Sequence, residues 1–154
     1  MINSDENYQD FNLEKMVPRA KGLIGFLVLD KTGLLYFSKV TKNRTSLEKN
    51  IFQVAGFISA ILVYSQDLIG GVDAGIKLKD INLGAYHMFF KTKDNIIFAY
   101  IVEKHKCTEN IEKCMGLVIE KFLNTYYYSH VVEFKGDLSP FHSFEIVIDQ
   151  YFEM

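Results

Sequence analysis

Residues 46–69 read as one long helix whose apolar residues cover far more than one face, and no other stretch limits the fold so strongly. Thr45 and Glu48 have the Thr-x-x-Glu spacing of a capping box, which marks a helix start. Gly70 and Gly71 then stop it. One apolar stripe runs through Val54, Phe57, Ile61, Tyr64 and Leu68, and an adjacent one holds Phe52, Ala55, Ile58, Leu62 and Ile69. At about 100° per residue these positions sweep roughly two thirds of the circumference. The strip left over, with Lys49, Gln53, Gly56, Ala60 and Asp67, is narrow. A helix lying on one sheet needs only about 100° of apolar surface. The excess points to a second contact and makes this helix the candidate assembly surface.

The rest of the chain supplies a core for that helix to lie on. Residues 23–30 (LIGFLVLD) and 96–102 (IIFAYIV) are nearly all apolar, as expected of central strands buried on both faces. Lys31-Thr32-Gly33 turns the first of them into a partner strand over 34–39. Asp94-Asn95 is a two-residue hairpin turn between strands at 86–93 and 96–103. Residues 76–83 (IKLKDINL) alternate, with a slip near Asp80, and read as an edge strand guarded by Lys77, Lys79 and Asp80. Thr108 can cap a second helix over about 109–127, with Ile111, Cys114, Met115, Val118, Ile119 and Phe122 on one face. Ser139-Pro140 opens a last helix over 140–153, with Phe141, Phe144, Ile148 and Tyr151 inward. The order is β-β-α-β-β-β-α-α. It predicts an α+β fold, an α/β/α sandwich around a five-stranded, mostly antiparallel sheet. Residues 1–20 read as a loose polar arm and 21–154 as one domain.

Composition narrows the function classes. The formal charge is −2, and the 17 basic residues are scattered, with only two arginines, Arg19 and Arg44. No basic stripe offers itself to nucleic acid. No apolar run approaches the roughly 20 residues that a membrane span needs. The first sixteen residues, MINSDENYQDFNLEKM, are unlike a signal peptide, so the expected location is cytoplasmic. Cys107 and Cys114 are seven positions apart and form no C-x-x-C pair, which fits free thiols in a reducing compartment. Cys114 lies on an apolar helix face and reads as core filler.

The element order, the hairpin LIGFLVLDKTGLLYFSK and the tail FKGDLSPFHSFEIVIDQYF resemble the longin domain, a relative of the roadblock/dynein light chain fold. The tail resembles the end of adaptin small chains. The resemblance covers residues 21–154. It implies a non-enzymatic, dimerising platform, homotypic or paired with another longin or roadblock chain. It further implies a place beside a small Ras-like GTPase or in a vesicle-trafficking complex, peripheral at membranes through partners. Such dimers commonly pair the helix after strand two, with strand three beside it. Carried onto this chain, the interface residues are Val54, Phe57, Ile61, Tyr64, Leu68, Ile76 and Leu78. Roadblock domains begin with a helix before strand one, and residues 1–20 are too polar to make a convincing one, which favours longin.

Chemical sites are weaker candidates. Residues 70–77 imitate a phosphate loop, but Ile76 separates Gly75 from Lys77 and no Ser or Thr follows. The segment also leaves a helix rather than a strand. His87, His105, His130 and His142 show no i, i+4 pair for a metal. No Ser-His-Asp or Cys-His order stands out, so neither a cofactor nor catalysis is expected. A second functional reading remains, a small-molecule sensor with its ligand between sheet and helix. Tyr86, Phe89, Phe90, Phe98 and Tyr100 could line such a pocket.

Overall fold

The protein's computed structural model describes residues 17–66, 78–106 and 109–154. Two apolar strands sit at its centre, β2 (Leu23–Asp30) and β6 (Ile96–Glu103), each buried along seven of its eight residues. Around them run β3 (Leu35–Val40), β4 (Asp80–Asn82) and β5 (Tyr86–Lys93). The sheet order is β3-β2-β6-β5-β4, and every neighbouring pair is antiparallel. The expected five-stranded sheet is therefore present, with no parallel pair in it. The alternating strand, expected over 76–83, is only three residues long within the described region, and Ile76 lies outside it.

Both hairpin turns follow from their residues. Asp30 accepts hydrogen bonds through Oδ1 from the amides of Thr32 (2.8 Å) and Leu34 (3.0 Å), while Gly33 takes φ +92°. Asp94 and Asn95 both have positive φ, 53° and 66°, as a tight two-residue hairpin requires. One irregularity escapes the alternation. Val28 faces Phe37 and Leu29 faces Leu35, so Tyr36 is an extra residue in β3. This bulge points Tyr36 and Phe37 to the same face of the sheet.

Helices cover both faces. On one lie α1 (Thr45–Lys49) and α2 (Ile51–Tyr64). The expected single helix over 46–69 is thus interrupted at Asn50, whose backbone is non-helical (φ −104°, ψ 19°). The Asn50 side-chain amide donates to the Ser46 carbonyl (2.9 Å), a local bond that competes with the helical ladder. The capping box does not form either: Thr45 is already helical, Arg44 stands at the cap position, and no side-chain cap bond is made there. Gly70, Gly71 and Thr108 lie outside the described residues.

On the other face lie α3 (Glu109–Tyr126), a π-helical turn (Tyr127–Val131), a 3-10 turn (Ser139–Phe144) and α4 (Glu145–Tyr151). The six apolar residues expected to face inward from α3 are all buried, with Tyr126 beside them. The last helix starts as 3-10, and Asp137 rather than Ser139 holds its start. The Asp137 carboxylate accepts from the Ser139 amide (3.0 Å) and from its hydroxyl. These bonds hold the Asp137 carboxyl below its ordinary pKa. Phe141, Phe144, Ile148 and Tyr151 point inward as expected. Strand β7 (Phe152–Glu153) then pairs in parallel with β1 (Ala20–Lys21), and Arg19 donates to the Phe152 carbonyl (3.0 Å).

Candidate assembly face

Helix α2 packs on the sheet through Ile51, Ala55, Ile58 and Ser59. The first three meet Leu27, Leu29, Ile97 and Ala99 from the central strands. Ser59 is polar and buried because its hydroxyl donates to the Lys31 carbonyl (2.6 Å) in the first hairpin turn. These contacts fix the rotation of the helix about its axis. They leave its opposite side to solvent, and that side is not polar: Phe52 is 70% exposed, Tyr64 62%, Phe57 49% and Val63 43%. Between them lie Gln53, Gly56 and Ala60, all exposed. Four large, mainly apolar side chains on a short helix thus flank a strip of one glutamine and two small residues.

Of the expected interface residues, Phe57 and Tyr64 stand on this exposed arc. Val54 and Ile61 are half-buried beside it on the helix, and Leu78 is half-buried against the sheet core ahead of β4. Leu68 and Ile76 lie outside the described residues. Phe52 and Val63 belong to the arc but not to the expected set. Their exposure depends on the helix phase, which Ser59 and the hairpin turn help to set. A helical wheel has no access to that contact.

Beside the arc, between α1–α2 and the sheet, runs an apolar groove of about 610 Å³. Ile24, Leu47, Val54, Tyr86, Met88 and Ile101 line it. Arg44 closes one end: its guanidinium lies 5.1 Å from the Tyr86 ring centre and 3.5 Å from Glu103. Glu103 also pairs with Lys106 at 3.0 Å. The Lys106 hydrogen bond and charge, with help from Arg44, hold the Glu103 carboxyl below its ordinary pKa. Both arginines are therefore engaged by the fold.

The chemical candidates do not converge. Among the described residues, no group of three or more His, Cys, Asp and Glu side chains could hold a metal ion. His87 pairs with Asp80 at 3.1 Å and stacks on Phe89, while His130 contacts Ser129 at 2.7 Å. Cys114 is buried, and that burial pushes its thiol pKa up despite a hydrogen bond from the Ala20 backbone, so the thiolate is disfavoured. The residues expected to line a sensor pocket divide between the faces. Phe90 and Tyr86 point to the α2 side, whereas Phe89, Phe98 and Tyr100 point to the α3 side. No helix of the described residues is long and apolar enough to cross a membrane.

No protein-family model matches the chain, and no curated protein sequence does. Solved structures do share its shape. A Roadblock/LC7 domain from Streptomyces avermitilis superposes with a TM-score of 0.52 over 73% of this chain and 90% of that one, at 12% identity. The fold is of the roadblock/longin type. The distinction between roadblock and longin turns on residues 1–20, of which 1–16 lie outside the described residues.

Proposed function

We propose that this chain is a protein-interaction platform that pairs through the exposed face of α2. The partner is a second copy or another chain of longin or roadblock type. The carrying observation is the row Phe52, Phe57, Val63 and Tyr64, which no described part of the chain covers. Exposed apolar side chains clustered on one helix face mark association sites on soluble proteins. In this reading residues 21–154 act as one domain, and the interface includes the expected Leu68, Ile76 and Leu78. The paired platform docks a small Ras-like GTPase or a trafficking-type complex, as the family resemblance implies, and performs no catalysis itself.

Light scattering over a concentration series tests the pairing. The expected result is a dimer that Phe57→Asp converts to a folded monomer. A wild-type chain that stays monomeric at every concentration, with no heterotypic partner recovered by co-purification, overturns it. Pull-downs against Ras-like GTPases in both nucleotide states test the docking.

The groove beside α2 favours a second reading. Its lining is largely apolar with Arg44 at one end, a common arrangement for a small ligand. A thermal-shift screen against a metabolite panel separates the two, since a ligand that binds only the folded state raises the midpoint by mass action.

A further inference from the structure

The outer edge of β3 is the floor of a second groove, of about 710 Å³. Its lining includes every residue from 35 to 42, so the groove runs along the strand and not across it. One wall is built by Glu48 of α1 and Phe52 of α2, the other by His142 of the 3-10 turn and by Glu145 and Asp149 of α4. Among the described residues, no strand pairs with this edge and no other backbone group hydrogen-bonds to it. Six residues at about 3.4 Å each give roughly 20 Å of open edge, the length of an ordinary strand.

Charge sets what can enter. The Lys39 side chain lies inside the slot, only 17% exposed, and its ammonium is shared between Glu145 (2.7 Å) and Asp149 (3.0 Å). Burial alone would lower its pKa, but the bonds and charges of the two carboxylates outweigh this and raise it. Glu48 faces them from the opposite wall, and Lys42 is the only other cation of the lining. Three carboxylates thus meet two ammoniums. An inward-pointing lysine and a bulge, here at Tyr36, are known guards against indiscriminate edge pairing. A second copy presenting its own β3 would bring the same excess of carboxylates. An arriving strand suited to this slot must instead bring cations.

We propose that the free edge of β3 takes up an extended peptide by strand addition, one in which basic and apolar side chains alternate. The basic side chains face Glu145 and Asp149, and the apolar ones face Phe52. Main-chain bonds to β3 supply binding, and the walls supply selectivity. This surface shares Phe52 with the pairing face of α2 but contains none of Phe57, Val63 and Tyr64, so the proposal does not rest on pairing through that helix.

Fluorescence anisotropy on the full chain tests it with three labelled heptapeptides. The first alternates valine and lysine, the second alternates valine and glutamate, and the third is the lysine peptide N-methylated at alternate amides. Saturable binding is expected for the lysine peptide alone, with slowed amide exchange over residues 35–42. The double variant Glu145→Gln/Asp149→Asn weakens it roughly tenfold, whereas Phe57→Asp leaves it unchanged. Ser38→Pro, which blocks the edge, abolishes it. Because that variant risks misfolding, the N-methylated peptide makes the same test on the unaltered protein. Equal binding of the N-methylated or the glutamate peptide, protection located elsewhere, or no saturable binding overturns the proposal.

Discussion

On the α3 side of the sheet, the Phe122 ring meets Phe98, Tyr126, Phe141 and Phe144, with ring centres 5.1 to 5.9 Å apart. On the α2 side, the buried helix residues are Ile51, Ala55, Ile58 and Ser59, and the aromatic residues of α2 point away. Helix α3 is amphipathic and hides its large side chains. Helix α2 contains no charged residue between Ile51 and Tyr64, yet buries only its small and aliphatic ones. The more apolar helix is thus the less buried. Apolar content alone does not say which surface a helix uses for its own fold. The distribution of side-chain size around it does, because the inner face must fit a sheet already filled by Leu27, Leu29 and Ile97.

Substitutions on the two sides should separate them. Phe122→Ala removes the ring shared by four others and should cost about 3–5 kcal/mol in urea unfolding. A loss below about 1.5 kcal/mol would mean that the aromatic cluster repacks, and the contrast would lose its basis. Ile58→Ala, on the thinner side, should cost about 2–3 kcal/mol by the same measurement. Equal costs at the two positions would show two equally strong cores. Phe57→Ser should change the stability of the dilute monomer by no more than about 0.5 kcal/mol. A larger loss would place Phe57 inside the fold.

The smallest effect concerns Asp137, whose pKa is depressed by the Ser139 hydroxyl and amide. A carboxyl with a lowered folded pKa adds stability above its unfolded value, near pH 4. That contribution disappears as pH falls through the folded value. Asp137→Asn should therefore lower neutral stability slightly, leave stability below the folded pKa nearly unchanged, and so flatten the acid limb of the profile. An unaltered acid limb would show that the Asp137 bonds form equally with a protonated carboxyl.

Much of the fold was legible because its signals are local. Asp94-Asn95 prescribes a tight turn by its backbone preference, and the spacing from Ile111 to Phe122 prescribes a buried helix face. The features that escaped depend on contacts distant in sequence or on competing local bonds. The Tyr36 bulge satisfies a cluster that includes Phe134 and Phe141, about a hundred residues away. Asn50 breaks the helix with a side-chain bond that periodicity does not register. For the candidate face, the sequence identified the helix but not its rotation, which Ser59 and Lys31 help to fix. The slot beside β3 was invisible because its walls come from opposite faces of the sheet.

The sheet order has a consequence for synthesis. Strand β6 is the last long strand of the chain, yet it lies at the middle of the sheet, between β2 and β5. Until residue 103 is available, the apolar strand β2 has β3 on one side and an open edge on the other. On a ribosome, the β2–β3 hairpin is therefore left waiting for its neighbour. Its most hydrophobic strand is its least protected one for that interval. A messenger that slowed translation between residues 40 and 96 would lengthen the interval and increase the demand for chaperones.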